Sequence, residues 1–252
     1  MTKPHHFSSN FQWQIIESLL TPKRKSKHSL RQILEAICYL TKTGCRWRYL
    51  PFTYVPYKTF YCYFRKWTLE GIIEVAHQQL RKALRKKSGK KESASLGIID
   101  SHSVRMSSIS GQQRGIHGNK KIKGSKRHII VDTMGLIICV VAYAATLHDS
   151  KGAKEVFDCL YELRFDEEKV EKILADGGYQ GKIADYLEEK INIPLEVVKR
   201  NDKNNWEVIP KRWIVERTFA WLLNFRRLVM DYERTKEPAG NKIIYLFFNG
   251  IR

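Results

Sequence analysis

Two aspartates come directly after short apolar runs of the kind that forms β-strands. Asp100 ends the run at residues 96–99, and Asp176 ends the run at residues 170–175. Side chains at strand ends leave the core and face the crevice beside the sheet, where carboxylate oxygens can hold hard cations such as Mg²⁺. Each aspartate taken alone could equally start a turn or cap a helix. The repetition of the pattern favours a shared site.

A third carboxylate, Glu216, lies in a stretch of helical periodicity at residues 211–230. The apolar stripe of this stretch consists of Ile214, Val215, Thr218, Trp221, Leu222, Phe225 and Leu228. Glu216 lies off the centre of the stripe and one turn after Arg212. It could therefore join the two aspartates, or form only a surface ion pair with Arg212 worth about 0.2–0.5 kcal/mol. Spacing alone does not decide between these roles.

The formal net charge of +19 favours binding to a polyanion. Residues 1–91 contain 19 Lys or Arg against 4 Asp or Glu, whereas residues 92–252 contain 26 against 22. The alternatives are a surface tuned for solubility and adhesion to acidic lipid. The cations of the N-terminal third are interleaved with aromatic residues in sequence that looks folded, and this distribution favours nucleic acid.

Two groups of cations are candidates for contact with DNA phosphates. The first lies among the N-terminal helices and consists of Arg46, Arg48, Lys58, Arg65 and Lys66. The second precedes a predicted strand, could clamp phosphates near the carboxylates, and consists of Lys120, Lys121, Lys123, Lys126 and Arg127. The alternative for the second group is a solvated loop before an edge strand.

The elements that must position these residues begin with four helices. Ser8 or Ser9 is expected to cap the first helix. Ser29 and Gln32 have the spacing of a capping box at the start of the second, and Gly44 is a natural C-terminal stop for it.

Residues 57–67 predict a third helix that buries Phe60, Phe64 and Trp67. A fourth helix begins after Gly71 and ends at the basic run 85–91, which is predicted to be an exposed linker. Short helices with basic outer faces are typical of helix-turn-helix-like DNA-binding modules. A small helical domain without that function is the alternative.

From residue 95 onward the pattern changes to strands. Strands are predicted at residues 96–99, 127–131, 136–143, 170–175 and 195–199, with helices at 152–163, around 183–187 and at 211–230. Residues 132–135 form the turn of a hairpin. This order predicts an α/β fold in which helices pack against a mixed sheet.

Four segments carry a resemblance to a known family: residues 97–105 (GIIDSHSVR), 118–128 (GNKKIKGSKRH), 175–179 (ADGGY) and 212–221 (RWIVERTFAW). In this order they resemble the DDE transposases of small bacterial insertion sequences, and the resemblance covers nearly the whole chain. It implies an RNase H-like catalytic domain at residues 92–252, preceded by a small all-helical DNA-binding domain at residues 1–91.

The resemblance also implies the site and its activity. Asp100, Asp176 and Glu216 would be the catalytic residues and would hold Mg²⁺ as two ions, with Mn²⁺ able to substitute. The expected reaction is cleavage at the ends of the element followed by strand transfer. The expected partners are double-stranded DNA, as terminal inverted repeats and target, and further copies of the chain in a synaptic complex.

The chain departs from the family around the glutamate. Arg212 matches the arginine of the family signature, but Ile209 stands in place of its tyrosine and Leu223 in place of its lysine. Arg226 or Arg227 could supply the missing positive charge one turn further on. Together with Arg212, they are expected to contact DNA.

Other classes of function remain open at this point. A metal-dependent nuclease that cuts without joining, or an inactive DNA-binding protein derived from a transposase, would share most of these features. A Ser/His/Asp hydrolase is disfavoured because the chain contains no GxSxG elbow. His117 and His128 are expected to form hydrogen bonds or contact phosphate rather than ligate metal.

Composition also predicts the compartment. No run approaches the roughly 18 apolar residues of a membrane helix, and the polar first residues lack the apolar core of a signal peptide. The five cysteines are scattered singly, so we expect reduced side chains. The expected location is the bacterial cytoplasm, in association with the nucleoid.

Overall fold

Eight helices and seven strands form the part of the chain that the computed structural model describes, which is residues 8–20, 27–51, 55–107, 115–117, 122–146, 149–165, 169–198 and 211–232. The helices are α1 (Asn10–Leu19), α2 (Leu30–Thr43), α3 (Tyr57–Leu69), α4 (Ile72–Lys87), α5 (Asp149–Phe165), α6 (Lys182–Ile191), α7 (Trp213–Leu223) and α8 (Arg226–Val229). The strands are β1 (Leu96–Met106), β2 (Gly115–His117), β3 (Ile122–Val131), β4 (Ile137–Ala144), β5 (Lys172–Ala175), β6 (Leu195–Val197) and β7 (Met230–Asp231). No helix in these ranges is long and apolar enough to cross a membrane.

The helix ends follow the capping signals only in part. Ser9 caps α1 in a complete capping box, because its hydroxyl accepts a hydrogen bond from the Gln12 amide at 3.2 Å and its own amide donates to the Gln12 side chain. The predicted capping bond of Ser29 is absent from α2. Gly44 ends α2 in the left-handed conformation at φ 69°, as expected for a helix stop.

The apolar faces of α1 to α4 form the core of the helical region. Phe60, Phe64 and Trp67 are buried there, as the periodicity of α3 predicts. Ile33, Ile37 and other residues of the α2 stripe pack against them. The aromatic side chains of this face are therefore structural.

The sheet is mixed and has β1 at its centre. Its main order is β2-β3-β1-β5-β6, with β4 also paired to β3 and β7 paired to β1. β3 is antiparallel to β1 and β4, whereas β5 is parallel to β1 and β6 is parallel to β5. The turn predicted at residues 132–135 joins β3 to β4. The predicted mixed sheet with flanking helices is confirmed.

Alternation along β1 and β3 directs side chains to two different helical layers. Ile99 and Ile130 pack with α5 and α6 on one face. Ile98 and Ile129 pack with α7 on the other. Asp100 is two residues beyond Ile98, so it lies on the face that α7 covers.

Three predicted element boundaries are wrong. β1 does not end at Asp100, because antiparallel pairing with β3 carries it on to Met106. The predicted helix at residues 211–230 is broken, because Phe225 is extended and buried in the core, which turns the chain into α8 and then into β7 beside β1. The strand predicted to begin at residue 127 begins at residue 122.

The basic run at residues 85–91 is not wholly an exposed linker. Residues 85–87 form the last turn of α4, and Arg85 is buried. Its guanidinium forms an ion pair with the fully buried carboxylate of Asp132. Asp132 also accepts hydrogen bonds from the amides of Met134 and Leu136 at 2.8 and 2.9 Å. This ion pair ties the helical region to the β3–β4 turn.

Removal of the Asp132 carboxylate should destabilise the fold strongly. We expect Asp132→Ala to lower the free energy of unfolding by about 3–5 kcal/mol, because Arg85 then remains buried without its counterion. Urea unfolding followed by circular dichroism measures the change. The matched control is Glu92→Ala, which breaks the exposed pair with Lys86 and should cost less than about 1 kcal/mol. Equal losses for the two variants would contradict a structural role of the buried pair.

Candidate active site

Asp100 is held in the middle of the central strand. Its backbone pairs with Ile129 of β3, and its carboxylate accepts a hydrogen bond from the Ser101 amide at 2.7 Å. The ring of His102, two residues on, packs against Phe219 of α7 with centroids 5.1 Å apart. Asp100 therefore emerges beneath α7.

Asp176 follows the last residue of β5, the parallel neighbour of β1. Its carboxylate accepts a hydrogen bond from the Gly178 amide at 2.9 Å and caps the 3₁₀ turn Gly177–Tyr179. The capping role considered from the sequence is thus real. It leaves the second carboxylate oxygen available for another partner.

Arg212 connects the carboxylates of Asp176 and Glu216. Its Nη2 atom lies 3.1 Å from Oδ2 of Asp176, and its Nε atom lies 3.9 Å from Oε1 of Glu216. The i,i+4 ion pair and the three-carboxylate group therefore coexist. The side chain of Glu216 is 61% exposed and that of Arg212 is 26% exposed, so this part of the site opens to solvent.

The charges of the neighbouring groups act on the carboxyl group of Asp100. The pKa of Asp100 is raised to about 6, chiefly because the carboxyl group is buried and in smaller part because of the negative charges of Asp176 and Glu216. The hydrogen bond from Ser101 and the positive charge of Arg212 act in the opposite direction. The structure thus brings all three predicted carboxylates into mutual electrostatic range.

The donor set suits a hard divalent cation, although the side chains are not arranged as ligands. Within the described ranges, no three His, Cys, Asp or Glu side chains are close enough to hold a metal ion as they stand. All three carboxylates supply oxygen, which Mg²⁺ and Mn²⁺ prefer. The guanidinium of Arg212 already compensates two of them, so positive charge fits at this position.

A buried polar network beneath the Asp176 turn was not anticipated from the sequence. Nδ1 of His128 lies 2.7 Å from the hydroxyl of Tyr143, and Nε2 contacts the hydroxyl of Tyr179. The prediction that His128 forms hydrogen bonds is confirmed. Tyr179 closes the turn that Asp176 caps, so the network supports that carboxylate from below.

Gly152 was the sequence signal for this network. A Cβ atom at Gly152 would lie 2.0 Å from the ring of Tyr143. A glycine inside a helix without an evident turn indicates such a close approach. Here it allows α5 to cross directly over Tyr143.

The predicted DNA-binding residues fall into different environments. Arg46, Arg48, Lys58, Arg65, Lys66 and Arg226 are exposed. Lys126 and Arg127 are only 4% exposed, because β3 begins before them and makes them interior strand residues. Arg127 donates to the carbonyl oxygen of Leu228 at 2.8 Å. Their predicted position just before a strand is therefore wrong, since both residues lie inside β3.

The remaining basic positions are only partly described. Arg227 is buried and donates to the carbonyl oxygen of Cys45 at 3.1 Å, which gives it a structural role. Lys120, Lys121 and Ile209 lie outside the described residues, as does the side chain of Lys123. Leu223, at the second position that departs from the family signature, is exposed on α7.

Comparison with known proteins shows which family the chain belongs to. The family model described as the transposase DDE domain matches residues 91–237, which is more than half of the chain. The chain belongs to the DDE transposase family. A second model, for provisionally assigned transposases of the IS4/5 family, matches residues 9–77. The family and the observed mixed sheet agree with the RNase H-like class that the sequence resemblance implied.

A relative of this chain from Burkholderia cepacia is provisionally described as the transposase for insertion sequence element IS402. It is 28% identical over 121 residues, which cover 46% of this chain and 57% of the relative. The match thus spans little more than half of that protein.

Solved structures give weaker likenesses. The catalytic domain of Mos1 mariner transposase is 9% identical, with a TM-score of 0.35 over 68% of this chain and 84% of that one. A piggyBac transposase in a synaptic complex with hairpin DNA is 12% identical, with a TM-score of 0.39 over 97% of this chain and 70% of that one. The family assignment does not depend on them.

Substitution of Asp100 tests the electrostatic strain of the metal-free site. The folded chain holds the Asp100 proton more tightly than the unfolded chain, because the pKa rises from 3.8 to about 6. The ionised carboxylate therefore destabilises the fold by roughly 2–3 kcal/mol above pH 6, and this effect vanishes as the pH falls below about 4. We expect Asp100→Asn to stabilise the protein in EDTA at about pH 7.5.

The pH dependence supplies the control for this prediction. Urea unfolding at about pH 4.5 should show a smaller gain for Asp100→Asn, because much of the wild-type penalty has then been relieved. Asp185→Asn, which changes an exposed acid on α6, should shift stability by less than about 0.5 kcal/mol. A gain that is the same at both pH values would contradict the assignment to Asp100 ionisation.

Tyr179→Phe tests the support beneath Asp176. Loss of the hydroxyl leaves His128 with an unsatisfied buried nitrogen, so we expect a destabilisation of about 1–3 kcal/mol. Amide hydrogen exchange at Gly178 should also accelerate, because the turn loses its anchor. Tyr186→Phe, at a partly exposed hydroxyl bonded to Asp158, should leave exchange at Gly178 unchanged. Unchanged exchange in Tyr179→Phe would refute the support.

Proposed function

We propose that this protein is a transposase that binds the ends of an insertion sequence, cleaves the DNA there and joins the released 3′ end to target DNA. The observation that supports the proposal most is the convergence of Asp100, Asp176 and Glu216 at Arg212. These residues occupy the three acidic positions of the family. The charges of Asp176, Glu216 and Arg212 all act on Asp100. Family membership makes DNA transposition the reaction that suits this group.

Membership in the DDE family implies dependence on a divalent metal ion. We propose Mg²⁺ in two sites, with Mn²⁺ able to replace it, and we propose Asp100 as the residue shared by both sites. Asp176 and Glu216 would each complete one of them. When bound, two such ions neutralise the phosphodiester and activate the attacking oxygen.

The chain's own residues prepare this site in three ways. The strand pairing of Asp100 fixes its position, and the buried face of α7 holds Glu216 above it. The 3₁₀ turn fixes Asp176. Arg212 compensates the carboxylates before cations bind, and its partly exposed guanidinium can then turn to a DNA phosphate.

The exposed cations support DNA as the partner. Arg46, Arg48, Lys58, Arg65 and Lys66 lie in the helical region, where most of the excess positive charge is found. We propose residues 1–91 as the part that binds the terminal inverted repeats and residues 92–252 as the catalytic part. Joining two ends requires two active sites, so the reacting species would be a homo-oligomer on double-stranded DNA.

A cleavage and joining assay tests the proposal. Purified protein is incubated with Mg²⁺ and labelled DNA carrying the inverted repeats that flank its coding sequence. We expect Asp100→Asn, Asp176→Asn and Glu216→Gln each to reduce both products at least about 100-fold, because each removes a proposed metal ligand. Glu189→Gln, at an exposed acid on α6, is the matched control and should retain activity.

Two other outcomes would replace the proposal. Cleavage without joined product would assign the protein as a nuclease. DNA binding without either product would assign it as an inactive DNA-binding derivative. Unimpaired joining by all three carboxylate variants would remove Asp100, Asp176 and Glu216 from the mechanism.

A further inference from the structure

A second concave site lies away from the carboxylates. It is a cavity of about 1080 Å³ between the 3₁₀ turn Trp47–Tyr49, the first turns of α3, and the C-terminal residues Arg227 and Tyr232. Ser107, directly after β1, also lines it. We call it the aromatic pocket. Its volume slightly exceeds the roughly 300–1,000 Å³ of typical small-ligand sites, which is enough for a nucleotide.

The charge of the aromatic pocket is positive. Arg46, Arg48 and Lys58 are exposed at its rim, and Arg227 forms part of its wall. Among the lining residues that the structure describes, none is acidic. The pocket therefore suits an anionic ligand.

Its rings are exposed to an unusual degree. Tyr49 is 70% exposed, Tyr61 is 48% exposed and Tyr232 is 41% exposed, although all three line one cavity. The ring of Trp47 is fixed between Tyr61, at 5.6 Å edge-on, and the buried Phe64 at 5.5 Å. Exposed rings on a rigid base are a platform for stacking rather than part of a core.

Guanidinium groups lie beside these rings. Arg48 lies 5.7 Å from the ring centre of Tyr57, and Arg227 lies 5.6 Å from that of Tyr232. Sites that bind single-stranded nucleic acid combine positive charge with aromatic faces on which bases stack. Paired bases inside a duplex do not present their faces in this way.

We propose that the aromatic pocket takes an unpaired nucleotide of bound DNA, with its base stacked on the exposed rings and its flanking phosphates on Arg46, Arg48 and Lys58. This rests on the proposed function only in taking DNA as the partner. The pocket is distinct from the reacting centre, because Ser107 is seven residues beyond Asp100 along the chain. At about 3.3 Å per strand residue, that places it roughly 23 Å away.

A binding experiment in EDTA tests the proposal without any need for catalysis. The probes are a duplex with one unpaired 2-aminopurine and the same duplex fully paired. We expect the full-length protein to bind the bulged duplex about tenfold more tightly, as base stacking on an aromatic ring would give. We also expect it to quench the 2-aminopurine fluorescence. Equal affinities with no quenching would overturn the proposal.

The matched variants separate stacking from charge. Tyr49→Leu combined with Tyr61→Leu should abolish the preference for the bulge and leave affinity for the paired duplex unchanged. Tyr161→Leu, at an exposed ring on α5, should keep the preference. Thermal unfolding verifies that each variant is folded. A preference that survives in the folded double variant would overturn the proposal.

Two further readouts complete the design. Arg46→Gln with Arg48→Gln should lower the salt dependence of bulge binding by about two counterions. If sedimentation showed instead that the tyrosine double variant loses self-association and nothing else, a second copy of the chain would be the occupant, which would overturn the proposal. Joining activity with Mg²⁺ is measured separately, so failure of the transposase function and failure of the pocket remain distinguishable.

Discussion

The position of β1 between an antiparallel and a parallel neighbour determines most of this structure. The antiparallel pairing with β3 fixes the register of Asp100, and the parallel pairing with β5 brings the end of that strand, and so Asp176, to the same edge. Period-two alternation then sends Ile99 to the α5 side and Asp100 to the α7 side. A shift of register by one residue would bury Ile98 against the wrong layer and remove the carboxylate from the site.

The three carboxylates carry like charges that disfavour their grouping, and the fold compensates this repulsion locally. Burial and neighbouring negative charge both disfavour ionisation of Asp100, whereas Arg212 favours it. The same arginine contacts Asp176 and Glu216. Arg212 thus holds the three carboxylates together in the absence of metal, and their remaining negative charge favours the binding of cations. This arrangement suits an enzyme but lowers the stability of the fold.

Local patterns were sufficient to predict many elements. Apolar stripes and stop signals located α2, α3 and α4, and alternation located β3, β4 and their turn. The same patterns could not show that polar residues 101–105 continue β1, because only pairing with β3 makes them a strand. They also missed the break at Phe225, which depends on packing in the core.

The candidate site was predictable to a similar extent. Motif resemblance identified the three carboxylates, although spacing left Glu216 ambiguous. The structure shows its ion pair with Arg212, and its role as a metal ligand stays a prediction. The burial of Lys126 and Arg127 could not be predicted, because the sequence of a basic pair does not distinguish a loop from a strand that other elements cover. The network of His128 with two tyrosines joins residues far apart in sequence, and the local pattern marks only the close approach to Tyr143 at Gly152.

Three arginines join the helical region, the sheet and the C-terminal helices. Arg85 pairs with Asp132, Arg227 donates to Cys45, and Arg127 donates to Leu228. Each contact crosses between segments distant in sequence, and together they hold the helical region against the sheet and the C-terminal helices. If the helical region binds the terminal repeat, as we propose, these contacts also position that repeat relative to the three carboxylates. The distance from the bound repeat to the scissile phosphate would then be set by protein geometry.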